Sequence, residues 1–400
     1  MLTDTPEKLK KATIWTRGFV FLFVSNMALN LGMNMNNSLL PLFADSLGAT
    51  MSAIGVLMSS FAVTSILFRF VAAPVMDTYN RKYIVIFATL VLSAAFFGFS
   101  ISKSISMLLG FRILQGCGMA FGNSCCLAIV ADMLPKEKYS SGIGYFSLAQ
   151  VMCQALGPPI GLFLTDIASY QTAYTAMFII MLVSVFPLAL IKTNHKRGKK
   201  LKLSFSAVFA KEAILPTSLM FLVAIGASTI TTFLILFAKE RGVTSNISLY
   251  FTVYAVSMLL TRPLIGTLTD KFGFTKVAIP SFFCGFIAYF VIWTSSALWG
   301  FLLSAFISAI GVGGCQPALQ SLTMKSVSSD RRGVASSTNY IGFDLGAVIG
   351  PVIAGNIVQA YGYVSMWFVM SMGFLVAILI TVFTRKIIKG LEKNADTNTA

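Results

Sequence analysis

The stretch YIVIFATLVLSAAFFGFSIS, residues 83–102, runs for twenty positions without a charged side chain. A helix needs about 20 apolar residues to cross the roughly 30 Å hydrocarbon core of a bilayer, so this run can span it. Eleven further runs share its length and apolar character: residues 18–43, 52–75, 105–131, 141–166, 171–191, 213–238, 247–269, 276–297, 299–324, 333–358 and 364–384. They lack the two-residue alternation of a membrane β-barrel. The sequence therefore predicts an all-α integral membrane protein with twelve transmembrane helices.

The distribution of charge agrees with this class. The chain is 56% hydrophobic and only 11% charged, whereas a soluble domain carries about 25% charged residues. Its net charge of +16 would suit nucleic acid only if the cations shared one exposed face. Instead, 24 of the 30 Lys and Arg residues lie at the termini, in a central basic stretch or in alternate loops. The positive-inside rule makes that side the cytoplasm.

We therefore expect a multi-pass protein of the cytoplasmic membrane, with both termini cytoplasmic and with no nucleic-acid partner. The six cysteines lie in apolar runs without a CxxC pair, so neither a disulfide framework nor a metal site is expected.

Several landmarks recur at a constant offset of 193 residues, which indicates an internal repeat. The recurring pairs are Arg69 with Arg262, Asp77 with Asp270, Gly118 with Gly311, Gly157 with Gly350 and Pro158 with Pro351. Structural repeats around a central site are typical of transporters. We predict an N-terminal six-helix bundle over residues 1–191, a basic cytoplasmic linker over 192–212 and a C-terminal six-helix bundle over 213–400.

Four short motifs carry a family resemblance. Residues 73–82 (APVMDTYNRK) and 266–276 (GTLTDKFGFTK) both resemble the Gly-x-x-x-Asp-Arg-x-Gly-Arg-Arg signature of the major facilitator superfamily. Residues 112–118 (RILQGCG) are similar to the signature of proton-coupled members, and residues 157–161 (GPPIG) to that of drug and metabolite exporters. The resemblance covers nearly the whole chain. It implies the major facilitator fold, with two pseudo-symmetric bundles, and an antiporter that exchanges its substrate against protons.

The resemblance also implies a cytoplasmic gate. Its candidate residues lie in or near the two copies of the first signature: Asp77, Arg81, Asp270, Lys271, Arg69 and Arg262. A turn that merely holds two helices together is the alternative. The first copy departs from the pattern at Ala73, Thr78 and Asn80. Asn80 replaces a glycine, a mild change because asparagine tolerates a positive φ better than most residues.

Arg112 lies about one third of the way into the fourth run. A charged side chain in hydrocarbon costs about 2.5 kcal/mol or more, so we expect it to face the bundle interior. Gln115, Met119 and Asn123 follow on the same helix face. The stripe predicts proton coupling or contact with an anion, and an arginine bonded only to backbone carbonyls is the alternative.

Asp344 is the one acidic residue near the middle of a run. A carboxyl group removed from water takes up a proton more readily, and an intramembrane carboxylate is a functional-site hypothesis by default. We predict that Asp344 carries protons or binds a cationic substrate. A static ion pair with a cation such as Arg262 is the alternative.

Amide side chains mark a candidate substrate cavity. Asn26, Asn30, Asn34 and Asn37 fall within an arc of about 80° on the first span, where facing lipid would be too costly. They line a wet cavity or bond to neighbouring helices. The other cavity candidates are Gln115, Asn123, Gln150, Gln154, Gln316, Gln320 and Tyr340. Such a pocket suits a moderately polar organic solute.

The Gly-Pro pairs Gly157-Pro158 and Gly350-Pro351 are predicted helix bends, because proline removes a helix hydrogen bond; an ordinary packing kink is the alternative. Gly342, Gly346 and Gly350 form a stripe suited to close helix contact.

The function expected from these features is secondary active transport by alternating access. The main reading is a proton-coupled exporter of a drug or metabolite, and the alternative is an uptake permease for a sugar or organic acid. No HExxH, GxSxG or nucleotide-binding Gly-x-x-x-x-Gly-Lys motif occurs, which argues against an enzyme. We expect no cofactor, no catalytic residue and no metal ligand. The expected partners of this monomer are a small-molecule substrate, protons and lipid.

Overall fold

The computed structural model describes residues 14–134, 139–191, 210–327 and 332–397. These ranges are almost entirely helical. In chain order the helices are α1 Arg17–Ser46, α2 Met51–Thr78, α3 Arg81–Ile101, α4 Ile105–Met133, α5 Tyr139–Ile167, α6 Tyr170–Leu190, α7 Ile214–Glu240, α8 Leu249–Phe272, α9 Phe274–Thr294, α10 Leu298–Ser308, α11 Gly314–Lys325, α12 Arg332–Phe383 and α13 Arg385–Thr397. A short 3₁₀ turn, Lys211–Ala213, precedes α7, and a π turn, Ala309–Gly313, joins α10 to α11.

These helices supply twelve membrane crossings. Within the described ranges, 11 helical segments are long and apolar enough to cross a membrane. The segment Leu298–Lys325 contains α10, the π turn and α11 and forms one crossing. The segment Ser337–Phe383 forms two, because Gly362 interrupts α12 with φ 79° and ψ 171°. The predicted all-α membrane fold with twelve spans is therefore confirmed.

Hydroxyl side chains fix where several helices begin. Thr16, Thr50, Ser104 and Ser169 each accept a hydrogen bond from a backbone N–H in the first turn of α1, α2, α4 and α6. Such caps satisfy donors that have no partner within the helix. These caps fix the residues at which the four helices begin.

A close helix contact in the first bundle recurs at the equivalent place in the second. A Cβ built on Gly118 would lie 3.2 Å from the Ala88 carbonyl oxygen, and one built on Gly311 would lie 3.0 Å from the Ser281 carbonyl oxygen. Ala88 and Ser281 are separated by the same 193 residues as the two glycines. The repeat seen in the sequence therefore reflects equivalent helix packing, of α4 on α3 and of the α10–α11 span on α9.

The two bundles meet along α2 and α12, with smaller contacts of α5 on α8 and α1 on α7. Ser59 Oγ donates to the Val348 carbonyl at 2.6 Å, and Gly55 approaches the backbone of Pro351. Near the end where α1 finishes and α2 begins, Ser52 on α2 hydrogen-bonds to Asn356 on α12. The interface thus consists largely of backbone atoms and small side chains.

The glycine stripe of α12 packs on α7 as the sequence predicted. Cβ atoms built on Gly342, Gly346 and Gly350 would lie 2.7, 2.6 and 2.8 Å from carbonyl oxygens of α7. Only glycine permits helix backbones to approach this closely.

We predict that Gly346→Ala destabilises the protein. Its new Cβ would meet both the Phe221 carbonyl and the Ala224 Cβ, and overpacking of this kind costs about 1–3 kcal/mol. Thermal unfolding of the purified protein measures the effect. The control is Gly373→Ala on the second crossing of α12, after Gly362, where no atom lies within 4 Å of the added Cβ. Equal transition temperatures for the two variants would contradict the proposed packing.

Candidate functional site

Arg112 lies inside the N-terminal bundle with only 2% of its surface exposed. Its Nη1 donates to Gln115 Oε1 at 2.7 Å, and its Nη2 donates to Asn37 Oδ1 at 3.3 Å. The guanidinium carbon lies 4.7 Å from the centroid of the Phe61 ring. Amide oxygens and an aromatic face therefore surround the cation, an arrangement that stabilises a guanidinium through its planar fork and through cation–π attraction.

A second layer of amides orients Gln115. Asn36 Nδ2 donates to Gln115 Oε1 at 3.0 Å, and Gln115 Nε2 points at the Met33 sulfur at 3.2 Å. The Arg112 Nε lacks a hydrogen-bond partner, and the described residues supply no carboxylate to pair with Arg112. A buried cation without a counter-ion is costly. The arrangement can hold an anion or disfavour the approach of another cation.

The placement of these residues differs in part from expectation. Gln115 is fully buried between α4 and α1, so it orients Arg112 and lines no open cavity in this conformation. The side chain of Asn123 lies outside the described residues. Asn36 belongs to the cluster but was not predicted. Its only signal in the sequence was its position beside Asn37 in an amide-rich segment.

Arg69 and Asp344 form an ion pair across the two bundles. Arg69 Nη1 on α2 lies 2.5 Å from Asp344 Oδ2 on α12. The Asp344 side chain is 17% exposed and the Arg69 side chain 43% exposed. Asp344 thus pairs with a cation, as the alternative supposed, but the cation is Arg69 rather than Arg262, because α12 turns this carboxylate toward α2 rather than toward α8. Proton carrying by Asp344 stays a prediction. Arg262 instead donates to Gln316 Oε1 at 3.5 Å.

The pair breaks the symmetry of the repeat. Arg69 and Arg262 are equivalent by the 193-residue offset, but the position equivalent to Asp344 is Val151. Only one of the two equivalent arginines therefore has a carboxylate at the corresponding place. A charged contact between the bundles exists on the α2–α12 side and has no counterpart at position 151 on α5.

Tyr340, one turn before Asp344, is 49% exposed. On α12, Gly342 and Gly346 face α7, and Asp344 and Val348 face α2. At 100° per residue, Tyr340 falls beside Asp344 on the side away from the α7 contact. Tyr340 and Asp344 therefore share one side of the helix, and the role of Tyr340 in a substrate cavity stays a prediction.

The four candidate asparagines of α1 differ in how far they are buried. Asn30 and Asn34 donate to the carbonyls of Asn26 and Asn30, each at 2.8 Å, one turn earlier on their own helix. Asn26 and Asn30 are buried, whereas Asn34 and Asn37 are half-buried. Asn37 reaches Arg112 on α4. The amide face thus extends from a buried segment to the arginine cluster.

The glutamine candidates are less enclosed. Gln150 on α5 is exposed, and Gln154, Gln316 and Gln320 are half-buried. Gln316 accepts the hydrogen bond from Arg262, and all four side chains are at least partly accessible, as a substrate site requires. Their role in binding remains a prediction.

The two signature turns have different backbones. Asn80 has φ −65° rather than a positive φ, and its side chain caps α3 by accepting from the Lys82 N–H at 3.0 Å. Gly273, its repeat equivalent, has φ +81°. Arg81 begins α3, and Lys271 lies over the Phe272 ring at 5.4 Å. The side chains of Asp77 and Asp270 lie outside the described residues, so the gate stays a prediction.

The Gly-Pro pairs lie in continuous helices. The α5 helix runs from Tyr139 to Ile167 with Pro158 inside it, and Gly157 allows close approach to α1 at Asn34 and Met35. Pro351 lies inside α12, whose one non-helical residue is Gly362. The observed role of these glycines is close packing, and bending at the prolines stays a prediction.

A metal or redox role finds no geometric support in the part of the chain that is described. No group of three or more His, Cys, Asp or Glu side chains there could hold a metal ion. All six cysteines are free thiols, four of them buried.

We predict that Gln115→Leu destabilises the N-terminal bundle by about 1.5–3 kcal/mol, because a hydrogen bond to a charged group is lost in a buried site. Thermal or denaturant unfolding measures the change. The control, Gln150→Leu, alters an exposed glutamine and should have little effect. The double variant Arg112→Met/Gln115→Leu should recover most of the loss, since the unpaired charge is then removed. Additive losses would contradict this account.

Comparison with known proteins agrees with the geometry. The family model for the Major Facilitator Superfamily matches residues 22–246 and 217–398. The multi-drug resistance efflux pump PmrA of Streptococcus pneumoniae is 24% identical over 348 residues, covering 83% of this chain and 87% of that protein. The quinolone resistance protein NorA of Staphylococcus aureus is 22% identical over 371 residues, covering 89% and 93%.

Solved structures show the same fold. A crystal structure of the peptide transporter POT superposes with a TM-score of 0.79 at 13% identity, covering 94% of this chain and 95% of that one. The nucleoside transporter NupG gives a TM-score of 0.77 at 11% identity, covering 92% and 99%. With the family match extending over nearly all of the spans, the chain belongs to the Major Facilitator Superfamily.

Proposed function

We propose that this protein is a proton-coupled exporter of a small, moderately polar organic molecule and works by alternating access. The observation that carries the proposal is the ion pair of Arg69 with Asp344 between the two bundles. Relatives named as efflux pumps favour export. The pair supplies a protonatable group at the surface along which the bundles must move.

Protonation of Asp344 removes one charge of the pair. Two unit charges 4 Å apart attract by about 4 kcal/mol at an effective dielectric constant of about 20, and by less where water reaches Arg69. Even an attraction of about 1 kcal/mol, the upper range for a solvent-accessible pair, shifts a conformational equilibrium by a factor of about five. The proton therefore has different affinities for the paired and separated states, which coupling requires.

Two further contacts between the bundles indicate which conformational state the structure represents. Lys239 on α7 pairs with Asp45 on α1 at 3.1 Å, and Thr252 on α8 donates to the Ala155 carbonyl on α5 at 2.8 Å. Both contacts lie toward the end at which α1 and α7 finish. We take this end to face the outside of the cell, because the positive-inside rule favours a cytoplasmic position for the basic stretch 192–211 and for both termini. We infer a state that is closed toward the outside.

Arg112 contributes a fixed positive charge within the N-terminal bundle. It favours the deprotonated form of carboxyl groups that come near it and repels cations. In the proposed cycle this charge assists release of the proton from Asp344 after substrate has left. Asn34, Asn37 and the more accessible glutamines supply hydrogen bonds to the polar groups of the substrate; these glutamines are Gln150, Gln154, Gln316 and Gln320.

We predict that Asp344→Asn abolishes gradient-driven transport, with a loss of at least about tenfold, while exchange of substrate without a gradient continues. Reconstituted vesicles with an imposed pH gradient measure both, using a ligand first identified by its thermal stabilisation of the purified protein. Asp166→Asn, at an exposed carboxylate at the end of α5, is the control. Normal driven transport by Asp344→Asn would refute the assignment.

The same assay determines direction. In inside-out membrane vesicles acidified in the lumen, an exporter accumulates substrate. Accumulation in right-side-out vesicles with an inward proton gradient would instead identify the uptake permease.

We further predict that bridging the ends of α1 and α7 stops the cycle. In Asp45→Cys/Lys239→Cys, a short bifunctional thiol reagent should block transport, and a cleavable reagent should allow recovery on reduction, because this end must open. The single variants Asp45→Cys and Lys239→Cys, treated with the same reagents, are the controls. Full transport by the cross-linked double variant would show that these ends do not separate.

A further inference from the structure

Helix α13 starts at the end of the last span. Only Thr384 separates it from α12, and the Ile388 N–H donates to the Thr384 carbonyl at 3.0 Å, which continues the chain directly into α13. The helix packs on α9, α11 and α12 at the linker end of the C-terminal bundle. Its first turn therefore lies at the membrane surface rather than free in water.

Glu392 of α13 caps another helix. Its Oε1 accepts from the Phe274 N–H, the first residue of α9, at 2.6 Å. The equivalent helix of the first bundle, α3, is capped by its own Asn80. At the equivalent position before α9 stands Gly273, which has no side chain that could cap the helix. A Cβ built on Gly273 would lie 3.3 Å from Glu392 Oε1. The carboxylate thus occupies the place that Asn80 fills in the repeat, and it also complements the helix dipole.

The other faces of α13 differ in chemistry. Ile388 is fully buried against the bundle, one turn from Glu392. Ile387 is 59% exposed although it is apolar. Exposed cations occupy a third face: Arg385, Lys386 and Lys389. No ion pair of these three is found among the described residues. By helical spacing Ile387 lies roughly opposite the three cations, and an apolar face opposite a cationic face is typical of a helix that lies in a membrane interface.

We propose that α13 binds anionic phospholipid headgroups through Arg385, Lys386 and Lys389, and that Glu392 ties this contact to the turn between α8 and α9. Lipid is the partner because α13 leaves the bilayer directly, because Ile387 can enter the acyl region, and because phosphodiesters complement the cations. This turn follows Lys271, a residue of the second signature at the end of α8. Binding of anionic lipid to α13 therefore changes how well the turn is ordered.

The test compares hydrogen–deuterium exchange of the full-length protein in two kinds of nanodisc. One contains phosphatidylcholine alone, and the other adds phosphatidylglycerol. Peptides from α13 and from the first turn of α9 report protection. Each cation near an anionic surface contributes appreciably to attraction, so exchange in α13 should slow roughly tenfold when phosphatidylglycerol is present.

Two variants isolate the contact. Lys386→Gln/Lys389→Gln should abolish the effect of phosphatidylglycerol, whereas Lys103→Gln/Arg241→Gln, which removes two cations near the other membrane face, should retain it. Glu392→Gln should speed exchange in the first turn of α9 in both lipids. Equal exchange of the wild-type protein in the two lipids would overturn the proposal. An equal loss in both double variants would also overturn it, since only net charge would then matter.

Discussion

The ion pair of Arg69 with Asp344 is the contact on which this account of the protein depends. Along α2 and α12 the bundles otherwise meet mainly through backbone atoms, glycines and small polar side chains, as at Ser59 and Gly55; the second ion pair between the bundles, Lys239 with Asp45, lies at the ends of α7 and α1. Contacts without an ionisable group have similar energies at any pH. A carboxylate in the interface changes this, because its charge depends on a proton. The bundles can therefore be joined or released by a chemical potential that the membrane maintains.

Because little water reaches the interior of the spans, a few charged residues are enough to control how the two bundles interact. A charged side chain inside an apolar span is costly, so each one must be held by polar or aromatic partners in the protein. Arg69 is held by a carboxylate, and Arg112 by amide oxygens and the Phe61 ring. The first arrangement can be switched by a proton and the second cannot. Two arginines in neighbouring helices of one bundle thus have different physical properties.

The sequence predicted the fold well because span length and charge asymmetry are local properties. The repeat was visible for the same reason, since Gly118 and Gly311 mark equivalent close contacts. The partner of Asp344 was missed because it depends on how two distant helices face each other. Asn36 was missed because its role depends on the position of Gln115. The capping role of Glu392 had one usable signal, the glycine at 273 where the first copy has Asn80.

The most direct test of the proton-sensitive interface is a distance measurement between α2 and α12. Spin labels at the exposed positions Leu67 and Leu345, in a protein whose native cysteines are replaced, report the separation by pulsed electron paramagnetic resonance. The account predicts that acidification moves the wild-type distribution toward longer distances. It also predicts that Asp344→Asn shows the longer distances at every pH. A wild-type distribution that does not change with pH, or an Asp344→Asn distribution that still changes, would contradict the central role of this ion pair.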